Sequence, residues 1–334
     1  MKYWESVTFL KNFRLNRKDQ FKFLNTYFGV YSLKYNGGIM NFFRLIFITI
    51  VLLFSSNYIA IAQDSTETDD DWEWNLEEVE DYVDWKTKQP TMSINYGISD
   101  ISRTDVEAPF ADNNLIELKL GYTTNRASRF ADFIEKHRYN YLLLNKNSTE
   151  LAGSSESASE IETSNWQFGI AWSGGYGYIV GTETLVTPYF TSMLSWTNLD
   201  FNDDSLSAND ERVKGLYDET FRFGSGMEAG LRVQATKLVT VEAGYERSIV
   251  FERHLFWKWA GSGLIEIVAQ GLVDTFVKEI FKSSPAAGPV VNFLLKGALG
   301  YGLYELRQDK MNWPFPSAPP IAFDNIKFGA TFVF

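Results

Sequence analysis

The residues best suited to hydrolytic chemistry sit close together at Ser248, Glu252 and His254: a hydroxyl, a carboxylate and an imidazole, the three types that make a nucleophile, an orienting acid and a base. Such neighbours arise easily by chance, so the preferred reading of His254 is an interfacial histidine that caps a strand and precedes a helix. The chain has no cysteine and only His137 and His254, which removes thiolate chemistry and leaves neither a metal site nor a cofactor site expected. No phosphate-cradling glycine loop and no dinucleotide fingerprint is present. A second set of residues carries charge of both signs inside otherwise alternating segments: Glu117, Lys119, Arg222, Glu228, Arg232, Glu242 and Glu246. Their expected role is a buried ion-pair network, with a conducting pore as the alternative.

Stepping out from these residues, the segments that carry them alternate with period two. Met92, Ile94, Tyr96 and Ile98 oppose Ser93, Asn95, Gly97 and Ser99, and Ile116, Leu118, Leu120 and Tyr122 oppose Glu117, Lys119 and Gly121. From Trp166 to Val180 one phase holds for fifteen residues, longer than an ordinary globular strand and suited to a tilted membrane strand. Aromatic residues make up 16% of the chain, which fits sheets with aromatic belts better than a soluble enzyme. Eight such segments are expected, over 91–99, 114–123, 137–145, 165–180, 185–199, 218–235, 238–250 and 321–334. Two fit less well: Leu142 and Leu144 spoil the polar face of the third, and Tyr189 and Met193 point with the threonines of the fifth.

The phase follows from energy. With the charged face outward, Glu117, Lys119, Arg222, Glu228, Arg232, Glu242 and Glu246 would meet lipid, where Lys or Arg costs roughly 2–4 kcal/mol at the midplane. The charges therefore point inward and the aromatic residues outward.

Other features concern targeting. From Met40 a short start with Arg44, an apolar run Leu45 to Phe54, and Ala60-Ile61-Ala62 before Gln63 form a secretory signal over 40–62, with cleavage after Ala62. This ten-residue run, apolar except for Thr49, is about half the ~20 that a spanning helix needs. Residues 1–39 read as a wrongly assigned start or a removed extension. Residues 63–90 form an acidic periplasmic leader: Asp64 to Asp84 holds eleven acidic residues and no basic one, with a short amphipathic helix suggested between Trp72 and Trp85. Residues 1–62 hold eight Lys/Arg and two Asp/Glu out of totals of 31 and 42, leaving 23 basic against 40 acidic groups in the remainder. That excess of negative charge argues against nucleic acid as a partner.

The last segment alternates Ile326, Phe328, Ala330, Phe332 and Phe334 with Lys327, Gly329, Thr331 and Val333. In this the sequence resembles small bacterial outer-membrane barrels of the OmpA/OmpX/OmpW sort. The resemblance covers the architecture of residues 91–334. It implies an outer-membrane location in a Gram-negative bacterium, a lipid-facing wall, and a terminal signal (Phe328, Phe332, Phe334) read by the barrel-assembly machinery.

The expected fold is therefore all-β: a transmembrane antiparallel up-and-down β-barrel of eight strands, interrupted before the last by an insert at about 254–310. Lys258, Ser262, Glu266, Gln270, Asp274, Lys278 and Lys282 recur every fourth residue, an amphipathic helix with a narrow polar stripe in which Asp274 and Lys278 form an i,i+4 pair. Residues 290–307 read as a second helix that completes a hairpin; read as a strand they would require a ten-stranded barrel. Topology puts the insert at the external end, where it caps the barrel, lies in the outer leaflet or binds an external ligand or partner. Three functions are open to such a chain: a structural, adhesive or binding role through loops and insert; a passive channel for small solutes; and a lipid-modifying enzyme.

Overall fold

The computed structural model describes residues 88–153, 160–181, 184–202, 207–218 and 220–334. These belong to one compact unit, Glu73–Phe334. The expected signal, its cleavage site at Ala60, Ala62 and Gln63, residues 1–39 and nearly all of the acidic leader lie outside the described residues.

Eight antiparallel strands close into a barrel in sequence order: β1 (Gln89–Ser102), β2 (Asn113–Ala127), β3 (Ile134–Ser148), β4 (Glu162–Val180), β5 (Thr184–Asn202), β6 (Phe221–Gln234), β7 (Val239–Val250) and β8 (Ile321–Val333). The seam pairs β1 with β8, Met92 opposite Phe332 and Tyr96 opposite Phe328, and the Phe334 amide donates to the Pro90 carbonyl at 2.9 Å. Closure leaves no unpaired edge, which a sheet in lipid cannot tolerate. Short turns join β2 to β3, β4 to β5 and β6 to β7, so that end is periplasmic and the longer connections are external.

Alternation decides the two faces. Ile94, Tyr96, Ile98, Ile116, Leu120 and Tyr122 are exposed on the outer wall, while Ser93, Asn95, Glu117 and Lys119 are buried in the lumen. In β3 the expected flaw is resolved in one step: Leu142 is 63% exposed and Leu144 also faces outward, whereas Tyr139, Tyr141 and Leu143 point into the lumen. The lumen there is aromatic rather than polar, and the leucines belong to the lipid face. Tyr189 and Met193 do point inward with Thr191.

The external mouth is sealed by apolar packing. The inward residues Ile101, Leu199, Val250, Ile321 and Phe323 form a cluster with Val213 and Tyr217 of the short helix α2 (Ala208–Tyr217); the one-turn helix α1 (Thr149–Ala152) follows β3. Ser207 caps α2 by accepting from the Asp210 amide. The Asp210 carboxylate in turn accepts from the backbone amides of Glu107 and Ala108, tying the first external loop to the third.

Between β7 and β8 the chain forms two helices, α3 (Phe256–Ser283) and α4 (Gly288–Gln308), joined by a 3₁₀ turn over Pro285–Ala287. Residues 290–307 are thus helical and the barrel has eight strands. The placement of the hairpin differs from the sequence expectation. It starts at the external end but neither caps the mouth nor stays in the outer leaflet. It runs down the outer wall until Val277 and Phe281 pack on Ile134, Phe130 and Tyr176 at the periplasmic rim, where the Tyr178 hydroxyl donates to the Ala286 carbonyl at 2.6 Å. The reason is length: 28 residues of helix reach about 42 Å, beyond the roughly 30 Å of a hydrocarbon core. Among the described residues α3 is the one helix long and apolar enough to cross a membrane.

Candidate functional site: a filled lumen and a docked hairpin

Six of the seven charged residues singled out in the sequence converge in the lumen, because β2, β6, β7 and β8 each present an alternate residue at the same level. Lys327 of β8 sits at the centre. Its Nζ lies 2.9 Å from Glu117 Oε1, 2.7 Å from Glu228 Oε2 and 2.5 Å from Glu246 Oε2. Lys119 bridges Glu117, Glu228 and Glu242 at 3.3–3.5 Å. Arg232 binds Glu242 through Nε (2.9 Å) and Nη2 (2.8 Å). All seven of these side chains are at least nine-tenths buried.

Neutral groups complete the network. Asn95 donates to Glu117, Asn325 and Ser248 donate to Glu246, Thr331 donates to Glu242, and the Tyr189 hydroxyl donates to Glu228. Arg232 stacks over Tyr139 and Tyr189, and Lys119 over Tyr141. His137 ends the chain of contacts: Nδ1 is 2.6 Å from Asn125 Oδ1 and Nε2 is 2.5 Å from Arg232 Nη1. Since Arg can only donate, Nε2 accepts, and the neutral ring carries its proton on Nδ1. Four carboxylates face three cations, and each carboxylate has at least one cation in contact, the form in which charge survives burial.

Arg222, the seventh residue, is not joined to this network. It faces the lumen near the external end of β6, opposite Thr197, and its Nε has no hydrogen-bond partner. Lys327, the most connected cation, was visible in the sequence only as one polar position between Ile326 and Phe328. Of the terminal phenylalanines, Phe328 and Phe334 are exposed on the outer wall and Phe332 is partly covered.

Sequence alternation gives no hint of the second charged cluster, because it lies on the lipid-facing side. Arg247 of β7 pairs with Asp324 of β8 (Nε to Oδ1, 2.6 Å) and with Glu305 of α4 (2.6 Å), under the rings of Tyr304 and Tyr301. α4 covers this otherwise prohibitive charge. Below it, Gly300 lets the helix backbone approach Phe190 and Met227, where a Cβ would stand only 2.9 Å from either side chain. The polar stripe of α3 faces α4 from Ser262 to Asp274, while Lys278 and Lys282 at its lower end are exposed. Glu266 binds Arg307 at 2.9 Å, and Asp274 binds Lys296 of α4 at 2.7 Å rather than Lys278. The stripe is the seam of the hairpin, which is how polar groups are accommodated at membrane depth.

His254 packs against Phe223, Trp259 and Phe256, with ring centroids 4.7, 5.5 and 6.1 Å away. Ser248 points into the lumen, onto Glu246, while Glu252 binds Arg103. The three residues do not form a catalytic constellation. Just outside the barrel, Arg103 also binds Asp105 and the Tyr217 hydroxyl. Burial alone would raise the Asp105 carboxyl, but the Arg103 guanidinium overrides it and holds it below the usual range. Burial pushes the Tyr217 phenol up. Among the described residues no group of His, Asp and Glu is placed to hold a metal.

A closed eight-stranded antiparallel barrel with an apolar outer wall and a charged, filled interior defines the class of outer-membrane barrels. Residues 79–265 match the family model described as outer membrane protein beta-barrel domain, and the chain belongs to that family and to the outer membrane of Gram-negative bacteria. Among solved structures it is similar to Neisserial surface protein A (11% identity, TM-score 0.34, covering 73% of this chain and 97% of that one). It is also similar to the attachment invasion locus protein Ail of Yersinia pestis (10%, 0.29, 74% and 99%) and to OprG of Pseudomonas aeruginosa (11%, 0.23, 74% and 97%). No curated protein matches the chain.

Proposed function

We propose that this is a non-enzymatic, solute-excluding outer-membrane barrel whose binding role is carried by its external surface and by the docked hairpin. The carrying observation is the Lys327 cluster: three carboxylates around one buried ammonium, with an apolar plug above it. A solute crossing the lumen would have to break several buried ion pairs, each about 3–5 kcal/mol to disrupt from one side. The hairpin supports a surface role, since it commits 53 residues, Phe256–Gln308, to the outside of the wall rather than to the lumen.

A second reading, a passive channel for small solutes, draws on the neutral side of the lumen. There Asn145, Asn147, Asn165 and Thr191 each leave a buried polar atom without a partner, the sort of site that water occupies. Planar-bilayer recordings separate the two readings. The purified protein is expected to give no discrete conductance steps; steps that change in size with Lys327→Met or Glu228→Gln would establish the channel instead. Unaltered lipid A and phospholipid profiles in overexpressing cells are expected of a non-enzyme, and a new deacylated or acylated species would reverse that reading.

A further inference from the structure

The lumen network is short of one positive charge, and the shortfall falls on one group. Glu117 and Glu228 each touch both Lys119 and Lys327, and Glu242 touches Lys119 and Arg232. Among the described residues Glu246 touches Lys327 alone, through Oε2, and shares that ammonium with two other carboxylates. Its Oε1 meets only neutral donors, Asn325 Nδ2 at 3.0 Å and Ser248 Oγ at 3.3 Å. We propose that this side of the lumen, lined by Ser99, Asn147, Glu246, Ser248 and Asn325, binds one monovalent alkali cation.

The second observation is a set of orphaned oxygens. An ionised carboxylate can only accept, so the Asn325 amide must turn Nδ2 toward Glu246 and its Oδ1 away. That Oδ1 is buried without a hydrogen-bond partner, and Asn147 Oδ1 is in the same condition. Asn147 Nδ2 donates to Ser99 Oγ at 2.7 Å. Ser99 stands directly opposite Asn325 across the β1–β8 seam, and Asn325 directly opposite Glu246 on β7, spacings of about 5 Å between Cβ atoms. One carboxylate, two amide carbonyls and two hydroxyls thus share one stretch of the lumen, and all five residues are more than nine-tenths buried. Buried carbonyl oxygens without a donor are rare and call for a partner. Oxygen ligands of this kind suit a hard cation, and one surplus carboxylate matches a single positive charge. Among the described residues no group of His, Asp and Glu is placed for a multivalent metal.

The surroundings close the site. One inward step toward the exterior leads from Ser99 to Ile101, from Ser248 to Val250 and from Asn325 to Phe323, all three in the apolar plug. Lys327 and Glu117 form the floor. Arg222 lies six residues beyond Glu228 on β6, roughly 20 Å along the strand, too far to reach Glu246, which stands opposite Glu228. A cation in this compartment is enclosed as the barrel closes and is held there, which leaves the solute-excluding reading intact.

The test is folding and unfolding of the full chain by urea in non-ionic detergent, in equal concentrations of NaCl, KCl or N-methyl-D-glucamine chloride. The unfolding equilibrium constant is expected to be about tenfold or more smaller in NaCl or KCl than with the bulky organic cation, as follows for an ion at about ten times its Kd. Glu246→Gln removes the surplus charge and Asn147→Leu removes an amide oxygen at similar volume, and each should abolish the difference. Arg222→Gln should preserve it, and heat-modifiable migration on gels reports that each variant is folded. In crystals of wild-type protein refolded with RbCl, an anomalous peak is expected beside Asn325 and Glu246, a readout that needs no variant. Equal stability in the three salts overturns the proposal and leaves water or a proton at Glu246. A salt difference that survives in folded Glu246→Gln and Asn147→Leu, or the absence of the rubidium peak, overturns it as well.

Discussion

Arg247 and Glu305 meet across the junction between barrel wall and hairpin, Nη1 to Oε1 at 2.6 Å. The arginine projects from the outer face of β7, where lipid would otherwise cover it, and two tyrosines of α4 lie over its guanidinium. Barrel and hairpin are therefore interdependent: the wall carries a charge that only the docked helix makes tolerable.

Glu305→Gln should loosen the upper half of α4 without opening the barrel, because Arg247 keeps Asp324. Charge-assisted bonds of this kind contribute roughly 1.5–3 kcal/mol. Amide exchange is expected to quicken in 301–308 and to stay slow in β7 and β8. Uniform protection across α4 would show that the ion pair does not hold the hairpin.

Lys327→Met removes the one ammonium shared by Glu117, Glu228 and Glu246. Stranding buried carboxylates costs about 3–5 kcal/mol, so the urea midpoint of unfolding from detergent should fall. Adding Glu246→Gln should recover part of the loss, since the two changes touch one network. Strictly additive losses would contradict the coupling.

Acid should release the first external loop before the barrel. Asp105 is held below the ordinary aspartate value of about 3.9 by Arg103, which outweighs the effect of burial. Its contribution is thus fully present above that value and fades as pH falls through the lowered one. Protease sensitivity at 103–112 is expected to rise on acidification in the wild type. Asp105→Asn should be sensitive at every pH, and an identical pH profile in both would exclude Asp105 as the cause.

The sequence made the barrel legible because lipid imposes a strict two-residue period and closure fixes an even strand count. It was least legible where a second layer covers the wall. Arg247 and Asp324 occupy lipid-facing positions that alternation assigns to apolar residues, and Phe190 and Met227 are outward yet buried. Nothing local signals that Tyr301, Tyr304 and Glu305, far along the chain on α4, will cover Arg247. The polar stripe from Ser262 to Asp274 was legible as a stripe, but its partners Arg307 and Lys296 lie on the other helix, and a pattern within one element cannot name the element it faces. Lys327 was seen as polar but not as central, since centrality depends on three other strands.

Gly300 and Gly302 provide a paired test of where α4 touches the barrel. A Cβ at Gly300 would meet Phe190 and Met227 at 2.9 Å, whereas one at Gly302 has open space around it. Gly300→Leu should therefore drive α4 from the wall, with overpacking of typically 1–3 kcal/mol and exposure of the Arg247 cluster. Gly302→Ala should be neutral or stabilising, by up to about 1 kcal/mol of helix propensity. Because the chain has no cysteine, a single Ser192→Cys on β5, directly opposite Met227 in the register, can report the event by reaction with a membrane-permeant maleimide. Labelling should accelerate in Gly300→Leu and stay at the parent rate in Gly302→Ala. Equal rates in the two would mean that the hairpin is not seated on β5 and β6, and the surface role proposed for it would lose its footing.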